Sequence, residues 1–148
     1  MYTHILVAYD GSALSDKALA EAIKLARQSC TPVTLLYVLT PHRLLVGGGR
    51  LVPGLRELEQ QHAELLRQEA REMLGRAHLR VSAAGIPCEV LLEEGQYPYE
   101  HIVQGASRLD CDLVVMASHG RGGIEGLMVG SQTIKVLSHS RVPVLVVR

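Results

Sequence analysis

The stretch 112–131, DLVVMASHGRGGIEGLMVGS, constrains this chain most, because it joins a buried-strand pattern to a glycine-rich loop and then to a serine-led helix. Asp112 opens an apolar run, Leu113 to Ala117, that is too short for a buried helix and rich in β-branched residues, so it reads as a central strand. The glycines at 120, 122, 123, 126 and 130 let backbone come close to a ligand with no Cβ in the way. Ser131, Gln132 and Thr133 begin the next helix, whose unsatisfied N–H groups and positive dipole end favour a phosphate. The bland alternative is a βα loop with no ligand, but loops of this length are usually functional.

The rest of the chain repeats the strand-then-helix pattern. Ile5 to Tyr9 is an apolar run ending at the turn and cap cluster Asp10-Gly11-Ser12, and the period of Leu19, Ala22, Ile23 and Ala26 predicts a helix from Ala13 to Ser29. Val33 to Leu39 gives a second strand. The segment from Pro41 to Pro53, with Gly47-Gly48-Gly49, reads as a loop able to fold over a ligand, where Arg43 and Arg50 would meet phosphate; a loop with no such role is the competing reading. From Leu55 onward Leu58, Leu65, Leu66, Met73, Leu74, Ala77, Val81 and Ala84 mark one stripe of a long helix that Gly85 ends. Pro87 to Leu92 reads as a third strand, Glu93 to Tyr97 as a turn, and Pro98 as the first turn of a helix that buries Ile102, Val103, Ala106 and Leu109. After the 112–131 stretch come a helix from Ser131 to His139 and a last strand, Val142 to Val147. Such alternation forces parallel pairing with right-handed crossovers. The expectation is a single α/β domain over 1–148, a doubly wound open sheet of five parallel strands with helices on both faces.

At 148 residues the chain can bury roughly 70% of its unfolded surface. With no Phe or Trp and five Tyr, it suits aliphatic strands under helices better than a platform for stacking bases. Fifteen basic and fifteen acidic residues cancel, which argues against a nucleic-acid partner. Cys30, Cys88 and Cys111 are scattered, with no CxxC, so neither a disulfide framework nor a zinc site is expected, and a reducing cytoplasm fits. Met1 to His4 has no basic n-region and the apolar run after it is too short for a signal sequence or membrane span, so no membrane partner is expected.

Asp10, at the end of the first strand, can accept from ribose hydroxyls or help hold a cation attached to phosphates; alternatively it caps the following helix. No general base stands out, so no catalytic residue is assigned. His119 is the one histidine of the glycine loop and reads more readily as a turn residue, and the other six share no metal-ligand spacing. The chain has no GxxxxGK[ST]. Its Gly120-Arg121-Gly122-Gly123-Ile124-Glu125 lacks the last glycine of GxGxxG, and Met116-Ala117-Ser118-His119-Gly120 has Met where a nucleophile elbow needs Gly. P-loop hydrolysis, dinucleotide binding and serine-hydrolase chemistry are disfavoured together.

Gly120, nine residues, then Gly130-Ser131 resembles the signature G-x2-G-x9-G-[ST] of nucleotide-binding members of the universal stress protein A family, with Ala117 at the first glycine position. The likeness extends through ILVAYDGS at Ile5 to Ser12 and RVPVLVVR at Arg141 to Arg148, and so spans essentially the whole chain. The resemblance implies the strand order 3-2-1-4-5, with a switch point between strands 1 and 4. It implies ATP as ligand, with Mg2+: Ala8 and Asp10 on the adenosine side, Val38 at the adenine, and Met116, Ala117, Gly120, Gly130, Ser131, Gln132 and Thr133 along the ribose and phosphates. The terminal strand would be a hazard as a bare edge, and pairing with its symmetry mate gives a two-fold homodimer, the contact the resemblance also implies. The expected function is a cytoplasmic, nucleotide-responsive regulatory dimer of the stress response; a nucleotide-independent interaction protein and a slow ATPase are the alternatives.

Overall fold

Apolar runs at the sheet centre fix the architecture, because each alternates its side chains between two helix-covered faces. The computed structural model describes residues 1–41, 53–120 and 129–148. Its elements are β1 (Ile5–Ala8), α1 (Ala13–Arg27), β2 (Val33–Leu39), α2 (Leu55–Ala83), β3 (Cys88–Glu94), α3 (Pro98–Arg108), β4 (Leu113–Ala117), α4 (Ser131–His139) and β5 (Val144–Val147). All strand pairs are parallel and the order is β3-β2-β1-β4-β5, as the resemblance implied.

On one face Ile5, Val7, Leu35, Leu113 and Val115 pack under α1 and α2. On the other, Leu6, Leu36, Val114 and Met116 pack under α3 and α4 through Ile102, Ala106 and Val136. Ser12 caps α1 by accepting from Ser15 N at 3.1 Å.

Four boundaries differ from expectation. α1 stops at Arg27 rather than Ser29, because Ser29 N and Thr31 N both turn back to Ala26 O and Cys30 takes a left-handed φ of 51°. β3 runs on through Glu93 and Glu94, which pair with Val38 and Leu39 of β2; their charges are matched by Arg108 and by Arg67. β5 begins at Val144, after Pro143, whose carbonyl still accepts from Val114 N. Tyr9 falls just outside β1, although its N–H donates to Leu36 O.

The stripe expected on α2 needs a larger correction. Its buried residues are Ala70, Met73, Leu74, Ala77 and Val81, while Leu58 and Leu65 are 54% and 53% exposed. Stepping back from Ala70 by three or four residues leads to Leu66, Ala63 and Glu59, so the two leucines lie outside the docking stripe.

Asp112 ties the N-terminal segment to β4, accepting from Thr3 N, Thr3 Oγ1 and His4 N at 2.8 to 3.1 Å. Partial burial raises its pKa, but these hydrogen bonds outweigh that and hold it below the ordinary 3.8. A carboxylate with a depressed folded-state pKa contributes stability above its unfolded pKa and loses it as pH falls through the folded one. Asp112→Ala is therefore expected to cost about 1 kcal/mol near neutrality, a value reduced for solvent exposure. The difference in melting temperature between wild type and variant should shrink as thermal scans move below pH 3.8; a difference that stays constant into acid would refute the charge-assisted tie.

Candidate functional site

The strand order reverses between β1 and β4, and a crevice of about 580 Å³ opens beyond the carboxyl ends there. Three expected segments converge on it: Ala8 and Asp10 after β1, Val38 in β2, and Met116, Ala117 and Gly120 from β4 onward. Gln132 and Thr133 of α4 complete the lining expected from sequence, while Gly130 and Ser131, the N-cap and first residue of α4, are not among the lining residues. The loop carrying Arg43 and Arg50, and the glycines at 122, 123 and 126, lie outside the described residues.

Asp10 is held in place by its neighbours. Its Oδ1 accepts from Ser12 N at 3.0 Å, so it braces the turn into α1 while Ser12 does the capping. Its Oδ2 reaches to where a Cβ on Gly120 would stand only 2.7 Å away. Glycine at 120 thus lets the carboxylate of β1 and the loop of β4 share one end of the crevice.

Three short ties hold α4 against β4. Gly130 N donates to Ser118 O at 2.7 Å, and Thr133 Oγ1, 2% exposed, lies 3.1 Å from Ala117 O and 3.0 Å from Ser118 O. Gln132 Oε1 accepts from Tyr99 N at 3.1 Å, satisfying a first-turn donor of α3 from across the crevice. Gln132 Oε1 and the Thr133 hydroxyl are therefore engaged in the protein itself. The N-cap of α4, Gly130, supplies no side-chain hydrogen bond, so the first-turn N–H groups are left without that cap.

Sequence reasoning missed Ser15, Leu36, Leu66, Pro98 and Ile102 as lining residues. Pro98 and Ile102 carried a usable signal, since a helix that follows a parallel strand starts at the same sheet edge as the ligand. Leu66 carried none, because only the packing of α2 on β2 brings it there.

Tyr9 is pushed up to about 12 by burial and by its hydrogen bond to Asp16, so its phenol stays protonated and serves as a donor. His119 lines the crevice, its Nδ1 3.2 Å from Ser118 Oγ. Among the described residues no group of three His, Cys, Asp or Glu side chains is placed to hold a metal, and no Lys or Arg lines the crevice.

The model of the Universal stress protein family matches residues 1–148. A universal stress protein of Thermus aquaticus is 34% identical over 150 residues that cover the whole of both chains. Among solved structures, the Methanocaldococcus jannaschii protein MJ0577 superposes with a TM-score of 0.82 at 27% identity, over 99% of this chain and 96% of that one. The Archaeoglobus fulgidus universal stress protein in complex with dAMP superposes at 0.68 with 25% identity, over 99% and 98%.

Proposed function

This chain belongs to the universal stress protein family, and from that premise we propose that it binds an adenine nucleotide, ATP with Mg2+ in the fullest form, in the crevice between β1 and β4. The observation that carries the reading is that the crevice ends at the N-terminus of α4, where no side chain caps the helix. Backbone donors and a positive dipole end suit a phosphate. At the other side Ala8, Leu36, Val38 and Ile102 make an apolar wall for the base, and Asp10 would accept from the ribose hydroxyls or share in holding the cation. A relative of known structure takes dAMP, a nucleotide of the same class.

In this reading the nucleotide acts as a signal. Its occupancy would order the surface around the crevice, and a partner in the stress response would read that surface. β5 is an edge strand, and Leu145 upon it and Ile134 and Leu137 of the neighbouring α4 are exposed. This apolar edge supports a homodimer formed by pairing β5 with its two-fold mate. No helix among the described residues is long and apolar enough to cross a membrane.

Titration calorimetry on protein stripped of nucleotide tests the site. ATP should bind in the micromolar range, more tightly with magnesium, and Asp10→Ala should weaken it at least tenfold, about the worth of one charge-assisted hydrogen bond. Absence of binding at millimolar ATP, AMP and dAMP would overturn the proposal in favour of a nucleotide-independent interaction protein.

A further inference from the structure

We propose that the outward face of α2 is a second self-association surface, on which α2 of another copy of this chain docks antiparallel. Leu58, Leu65 and Leu79 on this helix are exposed, the last at 68%. They fall at i, i+7 and i+21, so the helical period gathers them into one stripe, turned away from the buried Ala70, Leu74 and Ala77. A single exposed leucine needs no explanation, but three in register on one helix do.

Gly75 is exposed in the middle of the same helix. A Cβ there would meet nothing within 4 Å and its φ is not positive, so neither packing nor backbone geometry within the chain calls for glycine. Interior glycine weakens a helix relative to alanine. Its presence is accounted for by something that approaches the backbone closely from outside.

The charges identify what approaches. Up to Gln68, α2 carries Glu57, Glu59 and Glu64 against Arg56 and Arg67; from Glu69 onward it carries Arg71, Arg76 and Arg80 against Glu69 and Glu72. A helix acidic at one end and basic at the other complements its own reversed copy. A two-fold axis between Gln68 and Glu69 seats Leu58 on the partner's Leu79. It also sets Arg76 between the turns bearing the partner's Glu57 and Glu64, and gives the partner's His62 the room beside Gly75. Ion pairs within the chain, Arg80 with Asp16 and Glu64 with Arg71, hold three of these charges on the helix surface. The surface is also separate from the β5 edge, because α2 packs on the opposite half of the sheet, over β2 and β3.

Cross-linking decides the matter. In a Cys30→Ser background, which removes the exposed native thiol, Leu58→Cys and Leu79→Cys are combined. Within one chain the two positions are about 31 Å apart at roughly 1.5 Å per residue, far beyond the reach of a disulfide. Mild oxidation of the double variant should yield a covalent dimer on non-reducing gels, with either single variant giving far less. Equal cross-linking of double and single variants, or none, would overturn the proposal. Gly75→Ala supplies an independent reading. It should lower the mass of the assembly about twofold in sedimentation; a melting temperature raised by about 3 °C with unchanged mass, the result for a helix that faces only water, counts against it.

Discussion

Replacing Gly130 with valine is expected to abolish nucleotide binding, with a loss of at least a hundredfold, and to cost about 2 kcal/mol of stability from overpacking. Backbone conformation is not the reason, since φ −61° and ψ 151° at Gly130 suit any residue. The reason is space. A Cβ there would stand 3.2 Å from both His119 Cα and Ser118 O, and these are backbone atoms that cannot rotate aside. The branched side chain would push the first turn of α4 away from the end of β4, breaking the hydrogen bond of Gly130 N to Ser118 O and those of Thr133 Oγ1 to Ala117 O and Ser118 O. Those bonds aim the α4 N-terminus at the crevice, so binding fails because the anion site moves. Gly130→Ala, adding one methyl, should fall between. Calorimetry with ATP alongside urea unfolding separates the two effects, and wild-type affinity in the valine variant would remove α4 from the phosphate side of the site.

Part of this geometry is legible in the sequence and part is not. Ala117, Gly120 and Gly130 were recognisable from spacing, and the order of segments around the crevice followed from the resemblance. The direction in which a glycine lacks its Cβ was not. Read from sequence, Gly130 leaves room for a ligand; in the structure the room is taken by the backbone of Ser118 and His119, while at Gly120 it is taken by Asp10. For Gln132 and Thr133, which line the crevice, the sequence does not show that Gln132 Oε1 also meets Tyr99 N or that the Thr133 hydroxyl lies by Ala117 O, because polar side chains at a helix start look the same whatever they face. Strand positions were legible wherever β-branched runs were buried on both faces, as in β2 and β4. The end of β3 was not, since two glutamates there are drawn into the ladder by β2 and by arginines distant in sequence. Local propensity cannot see such partners.

Leu74→Ala should have the largest effect on stability of any conservative change considered, about 3 kcal/mol, while Leu65→Ala should change it by no more than about 0.5 kcal/mol at concentrations where the chain is monomeric. The sequence reading assigns both leucines to one stripe of α2, yet nine residues set them on opposite sides of a helix: Leu74 is 0% exposed in the core that Leu35 and Val81 share, and Leu65 faces outward. Emptying the Leu74 site leaves a cavity between α2 and the sheet; truncating Leu65 leaves none. Against a total stability of about 5–15 kcal/mol the first loss is large, and urea unfolding at matched m-values measures it directly. Equal losses from the two variants would mean that α2 docks through a different face. The prediction reaches the site as well. Leu66 is the residue through which α2 meets the crevice wall, two turns before Leu74, whereas α4 is tied to the end of β4 and Asp10 braces the turn into α1. Nucleotide affinity should therefore survive Leu74→Ala at temperatures where the chain stays folded, because the phosphate end of the site is built on the half of the sheet that the cavity does not touch.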